Sequence, residues 1–204
     1  MFITFEGIDG CGKTCQMKLL VEYLQSQNKK VVALREPGGT EFSESIREIL
    51  LRSKAKISSI SELLLFNSAR AHLVESIIKP AISKGEFVVC DRFFDSTTAY
   101  QGYGRKISLD KINYCNQIAV QGLIPDLTFY LDVPLELAQQ RSDKEDLDRM
   151  ELSGDEFYLD VITGYREMAV REPNRIILID ARGTIEHTQS LILERLSRFP
   201  NQRI

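Results

Sequence analysis

The chain has 204 residues, 43% of them hydrophobic and 27% charged, with a formal net charge of −3; this is the balance of a soluble globular protein long enough for a full core. No basic excess is present to hold a polyanion, so nucleic acid is not an expected partner. The longest apolar runs, such as Glu62-Leu63-Leu64-Leu65-Phe66, fall far short of the roughly 20 residues a membrane helix needs, and no secretory signal precedes the first strand pattern, so a single-domain cytoplasmic protein is expected.

The chain opens with an apolar, β-prone run, Phe2-Ile3-Thr4-Phe5, followed by Gly7-Ile8-Asp9-Gly10-Cys11-Gly12-Lys13-Thr14. This is a full match to the phosphate-loop pattern G-x-x-x-x-G-K-[ST]. Gln16 to Gln25 continues with Met17, Leu20, Val21 and Leu24 at helical spacing, which completes the strand, loop and helix the motif requires. In such a loop the backbone N–H groups converge on an anion, and the helix N-terminus adds roughly half a positive charge. Phosphate is therefore the expected ligand of residues 7–14, with Lys13 reaching the β- and γ-phosphates and the Thr14 hydroxyl binding Mg²⁺.

Lys30 to Leu34 reads as a second buried strand that ends in the loop Arg35-Glu36-Pro37-Gly38-Gly39-Thr40. Glu41 to Arg52 has helical spacing, and Ser61 to Ser83 predicts a longer helix that Pro80 bends near its end. Phe87 to Asp91 is an apolar strand ending on a carboxylate, which makes Asp91 the candidate acid beside the phosphate loop that helps to hold Mg²⁺. Further on, the pattern gives a helix over Ser108 to Gln121, a strand over Asp126 to Asp132, and a helix over Leu135 to Arg141 opened by Pro134. The polar segment Ser142 to Glu151 follows, then a helix over Gly154 to Arg171, a strand over Arg175 to Asp180 and a closing helix over Thr184 to Phe199.

Five strands alternating with helices predict an α/β fold, a parallel sheet covered on both faces. Ligands of such sheets bind at the carboxyl ends of the strands, where Asp9, Arg35, Asp91 and Asp132 would gather. The cysteines Cys11, Cys15, Cys90 and Cys115 form no C-x-x-C pair and indicate neither zinc nor disulfides. Cys11, beside a helix N-terminus, is either an activated thiol or a small space-filling residue.

A phosphate loop is common to GTPases, motor ATPases and kinases, and the base-reading pattern N-K-x-D of G proteins is absent. Asp91 is followed directly by Arg92, in Asp91-Arg92-Phe93-Phe94-Asp95-Ser96-Thr97-Thr98-Ala99-Tyr100-Gln101-Gly102. A carboxylate next to a guanidinium offers ligands for a cation and an anion at one place, which suits a second phosphate beside ATP. With this run, the loop from Phe5 to Thr14, Arg35 to Thr40, Leu64 to Arg70, and Leu147-Asp148-Arg149-Met150-Glu151, the chain resembles the thymidylate kinases of the bacterial kind. The pieces occur in family order across about three quarters of the chain.

The resemblance implies a P-loop NTPase three-layer fold with a short lid, transfer of the γ-phosphoryl group of ATP to dTMP, a Mg²⁺ cofactor and a cytoplasmic homodimer. It also implies roles. Phe66 resembles the residue stacked on thymine, and Arg70, four residues on along the same helical face, the donor to thymine O4. Periodicity alone would put Phe66 in the packed stripe and Arg70 in solvent. Thr97 and Gln101, supported by Ser96, resemble the other base-edge contacts, and Tyr100 the residue packed on the deoxyribose. Asp9 resembles the acid near the 3′-hydroxyl and its Mg²⁺, and Arg92 the grip on the acceptor phosphate. Glu36 and Arg47 are similar to residues lining the same pocket. The resemblance makes the segment Ser142 to Glu151 the counterpart of the lid, whose catalytic cation would be Lys144, Arg149 or Arg141, with Lys144 at the position that relatives commonly fill with arginine. Lysine at position 144 keeps the charge but lacks the bidentate fork of arginine. Cys15 departs from the hydroxyl residue usual at that position, and a thiol is a poor donor to the α-phosphate. Other nucleoside monophosphate kinases, deoxynucleoside kinases and a non-catalytic nucleotide-binding scaffold are the alternatives; Arg92 and Arg70 favour a monophosphate with a carbonyl-bearing base.

Overall fold

Five strands form the centre of the computed structural model, which describes residues 1–53, 55–142 and 149–199. They are β1 (Phe2–Glu6), β2 (Val31–Arg35), β3 (Phe87–Asp91), β4 (Leu127–Asp132) and β5 (Ile176–Asp180). All pair in parallel, in the order β2-β3-β1-β4-β5. β1 lies in the middle and is buried at every residue, which explains why its sequence is a near-continuous apolar run.

Successive side chains of β1 point to opposite faces. Ile3 and Phe5 join the core formed with Leu20 and Leu24 of α1 (Lys13–Ser26) and Ile192 and Leu196 of α9 (Ile185–Ser197). Phe2 packs on the other face with Leu73, Val74 and Ile78. These belong to one long helical stretch made of α3 (Ser59–Leu73), a π-helical segment (Val74–Ile78) and α4 (Lys79–Ser83). The expected helix over this region is therefore present, but its irregularity precedes Pro80. Pro80 has no N–H to donate to the preceding turn, and the wider π winding occupies that turn.

The remaining helices are α2 (Glu41–Arg52), α5 (Phe94–Thr97), α6 (Leu109–Val120), α7 (Leu135–Arg141) and α8 (Asp155–Arg171). Thr40 caps α2, its hydroxyl accepting from the Ser43 N–H at 3.0 Å, in line with the capping preference of threonine. Sequence patterning assigned no element to residues 92–107; there α5 runs on into a second π-helical segment, Thr98–Gly104, which packs extensively on α8. Asp95 receives both terminal nitrogens of Arg175, at 2.7 and 2.8 Å, and this bidentate pair ties the run after β3 to the start of β5.

Candidate active site

The chain leaves β1 at Glu6 and enters the loop of residues 7–14, whose last two residues already belong to α1. At Gly10, with φ 79°, a Cβ would lie 2.1 Å from the carbonyl oxygen of Ala138. The backbone of α7 rests directly on the loop, and only glycine fits there. Gly7 and Gly12 also have positive φ, and Ile8 is buried beneath the loop. Lys13 is buried as well, its Nζ donating to the carbonyls of Gly7 and Ile8 at 3.1 and 2.9 Å. The ammonium is thus held inside the curl of the loop, 3.9 Å from Asp9.

The parallel register sets Phe5 opposite Asp91, and the Thr14 hydroxyl donates to Asp91 Oδ2 at 2.9 Å. A hydroxyl and a carboxylate side by side are hard oxygen donors that fit Mg²⁺, an ion that keeps most of its shell for water and phosphate. Of the two open readings for Cys11, space filling is the one the geometry favours. The residue is 1% exposed, and burial pushes its thiol up, away from the reactive thiolate. Cys15 is partly exposed on the first turn of α1.

Arg92 follows β3 with φ 71°, a conformation unusual for a residue with a side chain. The turn is held by two N–H groups: Arg92 donates to the Phe5 carbonyl at 2.9 Å and Phe93 to Glu6 Oε1 at 2.7 Å. The guanidinium donates to the Gly7 carbonyl (2.8 Å), Ser96 Oγ (3.1 Å), Asp9 Oδ1 (2.6 Å) and the Tyr100 hydroxyl (3.2 Å). It also lies over the Tyr100 ring, 5.0 Å from its centroid, a cation–π contact. Burial works against the charge on Asp9, but Arg92 and Lys13 beside it prevail and hold its carboxyl down at about 2. Asp9 is therefore an anion at any ordinary pH.

Beside this cluster opens a cleft lined by aromatic and apolar side chains together with a few convergent charged and polar ones, the mixture typical of small-molecule sites. Asp9, Arg92, Ser96 and Tyr100 line one end of it. Phe66, Arg70, Thr97 and Gln101 line the other, with Glu36 and Arg47 on its wall. Periodicity had put Arg70 in solvent, yet it is 2% exposed. It donates to Glu36 Oε2 (2.7 Å), Thr97 Oγ1 (2.9 Å) and the Phe93 carbonyl (3.1 Å). Guanidinium carries five N–H groups, so one remains on each terminal nitrogen for a ligand. Arg47 donates to the Pro37 carbonyl at 3.0 Å. Arg35 and Asp132, expected at the same strand ends, turn to other partners: Arg35 pairs with Glu44, and Asp132 with Arg166 and the Tyr130 hydroxyl.

Comparison with known proteins identifies the family. A family model described as thymidylate kinase matches residues 5–192. The chain belongs to the thymidylate kinase family. It is 51% identical over 206 residues to a thymidylate kinase of Chlorobaculum parvum, covering 96% of this chain and 95% of that one. A thymidylate kinase of Caldanaerobacter subterraneus subsp. tengcongensis is 44% identical over 198 residues, covering 97% and 95%. The crystal structure of thymidylate kinase from Ehrlichia chaffeensis superposes with a TM-score of 0.81 at 38% identity, over 96% of this chain and 98% of that one. The fold is accordingly the P-loop NTPase fold expected of this family.

Several side chains at the site had no signal in the sequence. Tyr165, on α8, shares a hydrogen bond with Ser96 at 2.8 Å and donates to Glu6 at 2.8 Å. The Tyr158 hydroxyl lies 3.5 Å from Asp9. Pro37, Leu51 and Met150 complete the cleft wall. Only a helical face that buries three tyrosines or phenylalanines against the sheet end could have pointed to α8. Of the expected lid, residues 143–148, Lys144 among them, lie outside the described residues. Arg149, expected as an alternative lid cation, is bound elsewhere: it donates to the Leu50 carbonyl at 2.8 Å and pairs with buried Glu62 at 2.6 Å. Arg141 donates to the Ala181 carbonyl at 2.9 Å and so holds the loop after β5.

Glu36 is 5% exposed and its Oε1 is buried without a hydrogen-bond partner. Burial outweighs the pull of Arg70 and raises its carboxyl from 4.5 to about 7. The folded state therefore holds this proton more tightly than the unfolded chain does. The associated stability is complete below about pH 4.5 and is lost as pH rises through about 7. Thermal unfolding midpoints of Glu36→Gln should fall less between pH 5 and 7.5 than those of the parent protein. Parallel curves for the two would show that Glu36 does not titrate there.

Proposed function

We propose that the protein transfers the γ-phosphoryl group of ATP to dTMP, giving dTDP and ADP, in the cytoplasm, with Mg²⁺ as cofactor and as a homodimer. One observation carries this reading. The ten residues that the sequence suggests for the acceptor nucleotide line a single cleft, next to a phosphate loop, in a chain of the thymidylate kinase family.

The chemistry asks the protein mainly for positioning and charge, because the phosphoryl group crosses a loose transition state. The loop N–H groups of residues 7–14, the α1 N-terminus and Lys13 hold the donor phosphates. Thr14 and Asp91 would hold Mg²⁺, with Asp9 nearby; when bound, the ion neutralises charge on the phosphate oxygens. Arg92 grips the acceptor phosphate at the border between loop and cleft. It is already oriented by Asp9 and Tyr100, so little order remains to be imposed on binding. Phe66 stacks on the base, a contact worth about 1 to 3 kcal/mol, and the remaining N–H groups of Arg70 meet its carbonyl. Tyr100 packs on the sugar, and anionic Asp9 receives the 3′-hydroxyl. Ser96 keeps Arg92 in register.

The direct test is ADP release with dTMP, dUMP, dCMP and thymidine offered side by side. Highest turnover with dTMP supports the reading. Thymidine as the preferred acceptor would make the protein a deoxynucleoside kinase, and no release with any acceptor would make it a scaffold.

For the dimer, support comes from α3 and α6, which pack together and leave Ile60, Leu64, Tyr114 and Ile118 exposed. Apolar residues gathered on neighbouring helices favour burial against a second copy.

Lys13→Ala should abolish transfer, and Arg92→Ala should lose dTMP turnover by at least about a hundredfold while ATP binding survives. Loss of ATP affinity with an unchanged KM for dTMP would assign Arg92 to the donor instead. Lys144→Ala should lower kcat with KM nearly constant, the signature of a contact made only in the transition state. Arg149→Ala should instead act through the cleft wall and raise KM for dTMP; a pure kcat loss there, with Lys144→Ala silent, would move the catalytic cation to Arg149. The pair Leu64→Glu with Ile118→Glu should halve the mass seen in sedimentation, and a parent protein already monomeric would refute the dimer.

A further inference from the structure

Glu62 is a carboxylate 1% exposed on α3, four residues before Phe66 and so on the same helical face. Its partners come from three directions. Oε1 accepts from Gln101 Nε2 at 2.7 Å and from Arg105 Nε at 3.2 Å. Oε2 meets Arg149 at 2.6 Å and Arg105 Nη2 at 3.4 Å. Two guanidinium groups thus balance the charge of Glu62, while Gln101 contributes a neutral amide from a residue that lines the cleft.

Resting on the dTMP reading, we propose that Glu62 is a positioning residue that makes the cleft selective for a pyrimidine carrying an N–H at ring position 3. A carboxylate offers lone pairs and no donor. The Gln101 carboxamide can therefore present only its NH₂ to Glu62, and its carbonyl oxygen is left for the cleft. No described residue donates to that oxygen. An acceptor in this position pairs with the N3–H of thymine or uracil. Cytosine has a lone pair on N3, and two acceptors facing each other leave both unpaired at a desolvated site.

The arrangement explains why an ionised side chain is kept on the buried face of α3. An apolar residue would leave Arg105 and Arg149 without their carboxylate, and it would let the Gln101 amide rotate and offer either end to the base. A neutral amide at position 62 would do the same, since it can accept or donate. Gln101 alone therefore does not determine the hydrogen-bond pattern; Glu62 does, through it.

The experiment compares kcat/KM for dTMP, dUMP and dCMP in the parent protein, in Glu62→Gln, in Arg149→Met and in the charge-balanced double variant Glu62→Gln/Arg149→Met. In both variants carrying Gln at position 62 the dTMP to dCMP ratio should fall at least about tenfold. The dTMP to dUMP ratio should stay constant, because both substrates carry N3–H. Arg149→Met alone should keep the parent ratios. A merely structural role would lower all three substrates together and leave both ratios unchanged, and that result overturns the proposal. So does a loss of selectivity in Arg149→Met alone, which would assign the effect to the ion pair. If Glu62→Gln does not fold, the double variant, which removes the partner charge as well, carries the comparison. A parent protein that does not prefer dTMP to dCMP would refute the dTMP reading itself, an outcome distinct from a selective parent whose selectivity survives at position 62.

Discussion

The ion pair between Arg92 and Asp9, 2.6 Å long, holds the two halves of the site together. Asp9 belongs to the phosphate loop and Arg92 to the turn after β3, so the pair bridges the ends of the two central strands. Around it the guanidinium also reaches Gly7, Ser96 and Tyr100, and through Ser96 it is linked to Tyr165 of α8. Phosphate loop, acceptor cleft and the helix behind them share this one cation. The conformation it needs is costly: a side-chain-bearing residue at φ 71° is disfavoured by about 1 to 2 kcal/mol. Hydrogen bonds from the N–H groups of Arg92 and Phe93 to the end of β1 offset that strain.

Buried charge recurs across the site, and each instance has a different balance. Asp9 stays anionic because two cations adjoin it. Glu6, fully buried beneath the Arg92 turn, is pushed up to about 7 by burial and by Asp95, against the pull of Ser96, Arg92 and Tyr165. Asp95 is itself taken up by Arg175. Leaving any of these unpaired would cost several kcal/mol, so the cluster is fixed in one arrangement. Such preorganisation suits phosphoryl transfer, which gains from donors that do not have to reorganise during the reaction.

The side of the cleft around Arg70 and Gln101 is built by the same rule with a different result. Arg70 uses three of its N–H groups on protein acceptors and Gln101 uses its amide nitrogen on Glu62. What remains for a ligand is a pair of donors and one acceptor, a pattern complementary to the edge of a base with a carbonyl beside a ring N–H. Arg149 enters the same network by its contact with Glu62, so the chain that follows residues 143–148 is anchored to the wall of the cleft.

Much of this was determined by the sequence alone. Local rules sufficed for residues 7–14, because a loop that binds phosphate through its backbone needs glycines and a lysine at set spacing within one contiguous segment. β1, β3 and β4 were legible for a related reason, since strands buried on both faces demand apolar runs; β2, expected to be buried, lies at the sheet edge and buries only Leu34. The family resemblance then supplied the cleft residues, from Glu36 to Gln101, that share no local pattern. Tertiary structure decided the rest. Arg70 is buried because Glu36, Thr97 and Phe93, each distant in sequence, supply its acceptors, and helical periodicity had pointed it to solvent. The segment after Phe93 became a π-helical stretch packed on α8, a winding whose pairing no sequence period announces. Glu62 stood in the sequence only as the first residue of an apolar run, and its importance depends on Gln101, Arg105 and Arg149 converging on it from separate parts of the chain. A side chain's charge is written in the sequence, but the partner that makes burying it tolerable is set only by the fold.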